Sequence, residues 1–157
     1  MSRKGKPMSY MFPKKGKRAA RHSTQWVEDR LWEAYSEHVR RSAADDLGYV
    51  RCFTCGARVH WKACDAGHYI SRNRKAVKFD DRNVKPQCHN CNRILHGNGG
   101  PFARNIDLVH GEGTAAMLEQ LGSVRGTKLG REWLEQELAK YRKLNSNLRK
   151  THRFAVL

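Results

Sequence analysis

Cys52-Phe-Thr-Cys55-Gly56 and Cys88-His-Asn-Cys91-Asn92 are the two stretches on which the fold turns. Each is a Cys-x-x-Cys hook that can place two thiolates about 2.3 Å from one Zn²⁺, and two hooks complete a closed tetrahedral site. Gly56 suits the tight knuckle after the first hook. Cys52, Cys55, Cys88 and Cys91 are therefore expected to hold one structural zinc. The plainer alternative is four buried cysteines, and the fifth, Cys64, is expected to be a small core residue. The hooks are separated by 32 residues, 56–87. A simple zinc ribbon has about 15–20 there, so something is inserted between them.

The insert carries the chemistry. It reads Asp65-Ala-Gly-His68-Tyr69, then Asn83, and Asn92 follows directly after Cys91. A strand with His68, a connector over Arg72–Arg82, a second strand opening with Asn83, and a helix from about Cys88 to His96 presenting Asn92 make a β-β-helix finger. Hydrolysing a phosphodiester needs a base, and a neutral imidazole is suited near pH 7. It also needs a divalent cation where negative charge accumulates. Oxygen donors suit Mg²⁺ or Mn²⁺. His68 is the expected base, Asn92 an expected ligand of the catalytic metal, and Asn83 a bridge across the connector that holds the His68 strand. Taken singly, each has a plainer reading as a core histidine, a strand-start residue or a first-turn helix residue. Their joint register with the hooks favours the site.

This arrangement resembles the HNH-type nuclease pattern in its His-Asn-Asn form. With Phe79-Asp-Asp-Arg-Asn83-Val84, Gln87-Cys88-His89-Asn90-Cys91-Asn92 and Gly97-Asn98, the chain resembles the phage NinG/Rap recombination nucleases over residues 27–150. The resemblance implies a zinc-containing, Mg²⁺-dependent endonuclease that cuts branched DNA such as Holliday junctions and D-loops. A phage-encoded protein of this kind would work in the host cytoplasm. The chain departs from the wider pattern at Gly67, where many members carry a second metal ligand. Asp65, with the same strand parity, is the favoured substitute. His96, or water alone, is the alternative.

Outward from this core, 49–98, short β-prone pieces cover Tyr49–Phe53, Arg58–Trp61, His68–Ser71 and Asn83–Gln87. A helix is expected over 24–45, with Thr24 as N-cap and Val27, Leu31, Ala34, Tyr35, His38 and Val39 on one face. C-terminal helices are expected within 101–150: Pro101–His110, Thr114–Leu121 and Gly130–Lys150. The fold class is thus α+β, a zinc-stapled ββα-metal core within a single domain, 23–157. Residues 1–22 read as a flexible basic arm that is either a solvated tail or a DNA contact.

The net charge is +16 over 157 residues, and residues 1–22 supply eight Lys/Arg and no acid. Such a balance points to nucleic acid. Arg72, Arg74, Lys75, Lys78, Arg82, Lys85 and Arg93 surround the expected site and are the candidate phosphate contacts. No apolar run is long enough to span a membrane, and no secretory segment is present, so a reducing cytoplasm is expected. The stripe Leu134, Leu138, Tyr141, Leu144, Leu148 is expected either to pair with a second copy as a homodimer or to pack on the chain's own first helix. Two other classes fit the charge: a zinc-stabilised module that binds DNA or RNA without cutting it, and a ribosomal-type RNA-binding protein.

Overall fold

The computed structural model describes residues 23–151, and the expected basic arm, 1–22, lies outside them. Helix α1 (Thr24–Ser42) is capped one residue before the expected Thr24: the Ser23 side chain accepts from the Trp26 N–H at 3.1 Å. That bond satisfies one of the orphan donors of the first turn. Val27, Leu31 and Tyr35 are buried, as their spacing requires.

Strands β1 (Tyr49–Arg51) and β2 (Arg58–His60) form an antiparallel hairpin that carries the first Cys hook at its tip. There Gly56 takes φ +75° and donates its N–H to the Cys52 carbonyl at 2.9 Å. After a 3₁₀ turn, β3 (Cys64–His68) pairs antiparallel with β4 (Val84–Cys88), in the register Cys64–Cys88 to His68–Val84. The strand therefore ends at His68 instead of beginning there. The cause is Asn83, whose side chain takes over the N–H and C=O of Ile70 and leaves them no strand partner.

The helix expected over Cys88–His96 is a single π-helical turn, Asn90–Ile94. Cys88 stays in the β ladder opposite Cys64, and Leu95 N–H reaches back to the Asn90 carbonyl at 2.9 Å. His96, Gly97 and Asn98 then all adopt positive φ. Helices α2 (Gly99–His110), α3 (Thr114–Ser123) and α4 (Arg131–Thr151) follow.

The largest core cluster joins α1, β4 and α4: Val27, Leu31, Tyr35, Val84, Leu134, Leu138 and Tyr141. Tyr35 and Tyr141 meet edge to face at 4.9 Å, and Asn145 donates to the Ala34 carbonyl at 2.8 Å. Leu134, Leu138 and Tyr141 of the α4 stripe thus pack on α1 of the same chain, with Leu144 half-buried against the same cluster. A second cluster, Val77, Phe102, Ile106, Ala115 and Leu118, roots the connector in α2 and α3. Cys64 is buried with Val50 and Trp61. The fold is α+β, and among the described residues no helix is long and apolar enough to cross a membrane.

Candidate functional site

The sulfurs of Cys52, Cys55, Cys88 and Cys91 all lie within 4.8 Å of one another and could hold a zinc ion. Cys55 and Cys88 sulfurs are 3.8 Å apart, the edge expected of a tetrahedron with metal–sulfur bonds of about 2.3 Å. Donors surround them. Cys91 N–H points to the Cys88 sulfur at 3.4 Å, the Asn98 amide to the Cys91 sulfur at 3.6 Å, and the Thr54 hydroxyl lies 3.2 Å from the Cys52 sulfur. Burial disfavours the Cys52 thiolate, but the Thr54 hydroxyl and nearby backbone N–H groups outweigh it and bring the thiol down to about 6. This donor set fits a soft-ligand metal such as zinc.

A cavity of ≈ 470 Å³ lies beside the cluster. His68, Asp65, Asn92 and His96 line it, so the structure brings the expected base and all three expected metal-ligand candidates together. His68 stacks on Trp32 at 4.8 Å between centroids. Its Nε2 lies 2.9 Å from the Lys78 carbonyl. A carbonyl only accepts, so Nε2 carries the proton and Nδ1 keeps its lone pair. Burial, then the charges of Lys78 and Arg72, overcome the carbonyl's opposing effect and lower its pKa to about 4.

Asn83 does not reach the cavity. It is fully buried, and besides its two bonds to Ile70 it donates to the Val77 carbonyl at 2.8 Å. It ties the end of β3 to the connector.

Asp65 is not a free carboxylate. Arg93 forks onto both its oxygens at 3.0 and 3.1 Å. Burial works against the Asp65 charge, but Arg93 and Asn92 hydrogen bonds outweigh it and hold the carboxyl below its ordinary value. Gly67, the site of the missing ligand, faces the side chain of Gln87.

The seven expected phosphate contacts divide. Lys75 and Lys78 both converge on Glu28 Oε1, and Lys78 is buried. Arg82 pairs with Asp80 at 2.7 Å and Arg93 with Asp65. Lys85 is half-buried, which lowers its pKa. Four of these five are ion-paired, Lys75, Lys78 and Arg82 because the connector is packed instead of looping into solvent, while Arg93 stays exposed at the surface. Arg72 is exposed and lines the cavity, and Arg74 lies nearby in the connector.

The sequence reading missed Trp32, Ser36 and Arg40, which form the opposite cavity wall. With Glu28 they recur at four-residue steps along α1, a stripe beside the apolar face. That spacing was the available signal. Arg40 has no carboxylate partner among the described residues; it donates to the Ser36 carbonyl at 2.9 Å.

An α+β chain with a four-cysteine cluster beside a basic, histidine-containing cavity is the class of protein this geometry defines. The model of the family described as "Bacteriophage Lambda NinG protein" matches residues 6–151, and the chain belongs to that family. The match starts well before residue 27, so it includes much of the basic arm. Similar curated proteins are each named "Protein ninG". Those of Escherichia phage 933W and Enterobacteria phage VT2-Sa are 28% identical over 106 residues, 66% of this chain and 48% of theirs. That of Salmonella phage P22 is 29% identical, over 66% of this chain and 47% of its own. The chain thus spans about half the length of these relatives. No solved structure matches it.

Proposed function

We propose that the protein is a zinc-stapled, HNH-type endonuclease that hydrolyses DNA phosphodiesters, with branched recombination intermediates as substrate. The observation that carries this reading is His68: its Nε2 proton is engaged by the Lys78 carbonyl, which leaves Nδ1 the lone pair of a histidine that lines a basic cavity. A histidine in that state accepts a proton from water at neutral pH.

Asn92 and Asp65 both line the cavity wall. One carboxylate plus one amide oxygen fits Mg²⁺ or Mn²⁺, which keep several waters. Such an ion, when bound, supplies charge for the scissile phosphate and the leaving oxygen. Arg93 must then release at least one Asp65 oxygen. Arg40 and Arg72 offer guanidinium groups to the flanking phosphates. The zinc cluster holds β4 and the π-helical turn that present Asn92. The preference for Holliday junctions and D-loops rests on the resemblance to the NinG/Rap nucleases.

The test is incubation of the purified protein with labelled linear and four-way-junction DNA, with Mg²⁺ or with EDTA. Cleavage of the junction with Mg²⁺ alone supports the reading. DNA binding without cleavage in any metal would replace it with a non-catalytic zinc module.

A further inference from the structure

Glu28 is 5% exposed and sits on the α1 face that looks toward the cavity, one turn before Trp32. Its carboxylate takes both Lys78 and Lys75 on a single oxygen, Oε1. Lys78 is itself 8% exposed, an unusual place for a lysine. Burying such a group of charges gains little stability, since desolvation offsets the attraction. Its location is more informative. Lys78 is the residue whose carbonyl meets His68 Nε2, and Trp32 backs the same imidazole ring.

We infer that Glu28 and Lys78 are positioning residues for His68. They form a clasp from α1 to the connector that aims the Lys78 carbonyl at Nε2 and so leaves Nδ1 as the basic nitrogen. A neutral imidazole has two accessible tautomers, and the one present is set by the hydrogen bond made at the other nitrogen. That bond is only as well aimed as the backbone at residue 78. The local backbone holds Lys78 weakly: its N–H reaches the Lys75 carbonyl at 3.4 Å, a long bond. The Glu28 ion pairs supply the anchor that this turn lacks, and Val77, fully buried among α2 and α3 residues, fixes the other side. Trp32 limits rotation of the ring and excludes water from one face. Both constraints come from residues four apart on α1, so one helix face sets the position and the protonation pattern of His68.

The inference rests on His68 being the base, and the experiment separates the two claims. Ring-nitrogen NMR of ¹⁵N-labelled full-length protein at pH 7.5 reads the His68 tautomer without any cleavage assay. The wild type should show a single Nε2–H form. Glu28→Gln should give a mixture of both tautomers. In a junction-cleavage assay it should lower kcat about tenfold with KM nearly unchanged, as expected for a misplaced catalytic group. Lys78→Arg, which keeps the cation beside Glu28, should retain the single tautomer. If Glu28→Gln does not fold, the pair Glu28→Met with Lys78→Met replaces the buried ions with apolar chains of similar length, and the same mixture is expected. A folded variant lacking the ion pair that keeps a single Nε2–H tautomer overturns the clasp. Wild-type protein that cuts no DNA overturns the nuclease reading, while the tautomer measurement still decides the clasp.

Discussion

A Cβ built on Gly67 would lie 1.8 Å from Gln87 Oε1, so the buried Gln87 side chain fills the space any other residue at position 67 would need. Gln87 Nε2 donates to the Thr54 hydroxyl at 3.1 Å and to the Gly97 carbonyl at 2.9 Å. One amide therefore links the first cysteine knuckle to the turn that borders the cavity. Gly67→Ala should overpack this spot and cost about 1–3 kcal/mol. Paired with Gln87→Ala, the two costs should fall short of additive, because the second change removes the clash. Urea unfolding of the four proteins measures the coupling, and strict additivity would mean the two side chains do not compete.

Zinc should be present at about one ion per chain in elemental analysis, since four thiolates close the coordination shell. Metal binding and folding should be coupled. Cys88→Ser should lower the melting temperature as well as DNA cleavage, because Cys88 belongs both to β4 and to the cluster. Cys64→Ser, at a cysteine outside the cluster, should leave the zinc content unchanged.

His68→Ala should reduce cleavage by about 10²–10⁴-fold, the range for loss of a positioned general base, with DNA affinity nearly unchanged. The pH dependence has a definite sign. His68 in the folded chain is lowered from 6.5 to about 4, so the unfolded chain takes up the proton first as the pH falls. The stability due to neutral His68 is present above 6.5 and is lost as the pH falls through about 4. Cleavage should likewise persist below 6.5 and fall only on approach to about 4. A rate that halves near 6.5 would show an ordinary, solvated imidazole.

Salt dependence should distinguish arginines without a carboxylate partner from ion-paired ones. Arg40→Ala and Arg72→Ala should each shallow the plot of log affinity against log salt by about 0.9 for duplex DNA, one phosphate contact apiece. Arg82→Ala should leave the slope nearly unchanged, because Asp80 already holds that guanidinium. Equal effects from all three would mean that the ion pairs break on binding.

Leu138→Ala should destabilise the folded chain by about 2–5 kcal/mol, the usual cost of truncating a core leucine. Leu138 packs against α1 within the same chain. Its denaturation midpoint should therefore not depend on protein concentration. A midpoint that rises with concentration would mean that α4 also stabilises an association between copies.

Much of this architecture is written in local patterns. The 3.6-residue recurrence of Val27, Leu31 and Tyr35, and of Leu134, Leu138 and Tyr141, determined two helices and their buried faces, because periodicity alone decides which side chains share a face. The paired Cys-x-x-Cys spacing determined a four-sulfur cluster, since each hook already holds its own two sulfurs close. The register of His68 and Asn92 with those hooks was enough to expect them in one place. Tertiary structure decided what these patterns could not encode. It chose α1 as the partner of the α4 stripe, because an apolar stripe specifies burial and not its neighbour. It paired Lys75, Lys78, Arg82 and Arg93 with carboxylates, because a charge run does not reveal where Glu28, Asp80 and Asp65 will lie. It ended β3 at His68 because Asn83, far along the chain, satisfies the backbone of Ile70. It also selected the histidine tautomer, which depends on one carbonyl ten residues away and on the helix that holds it in place.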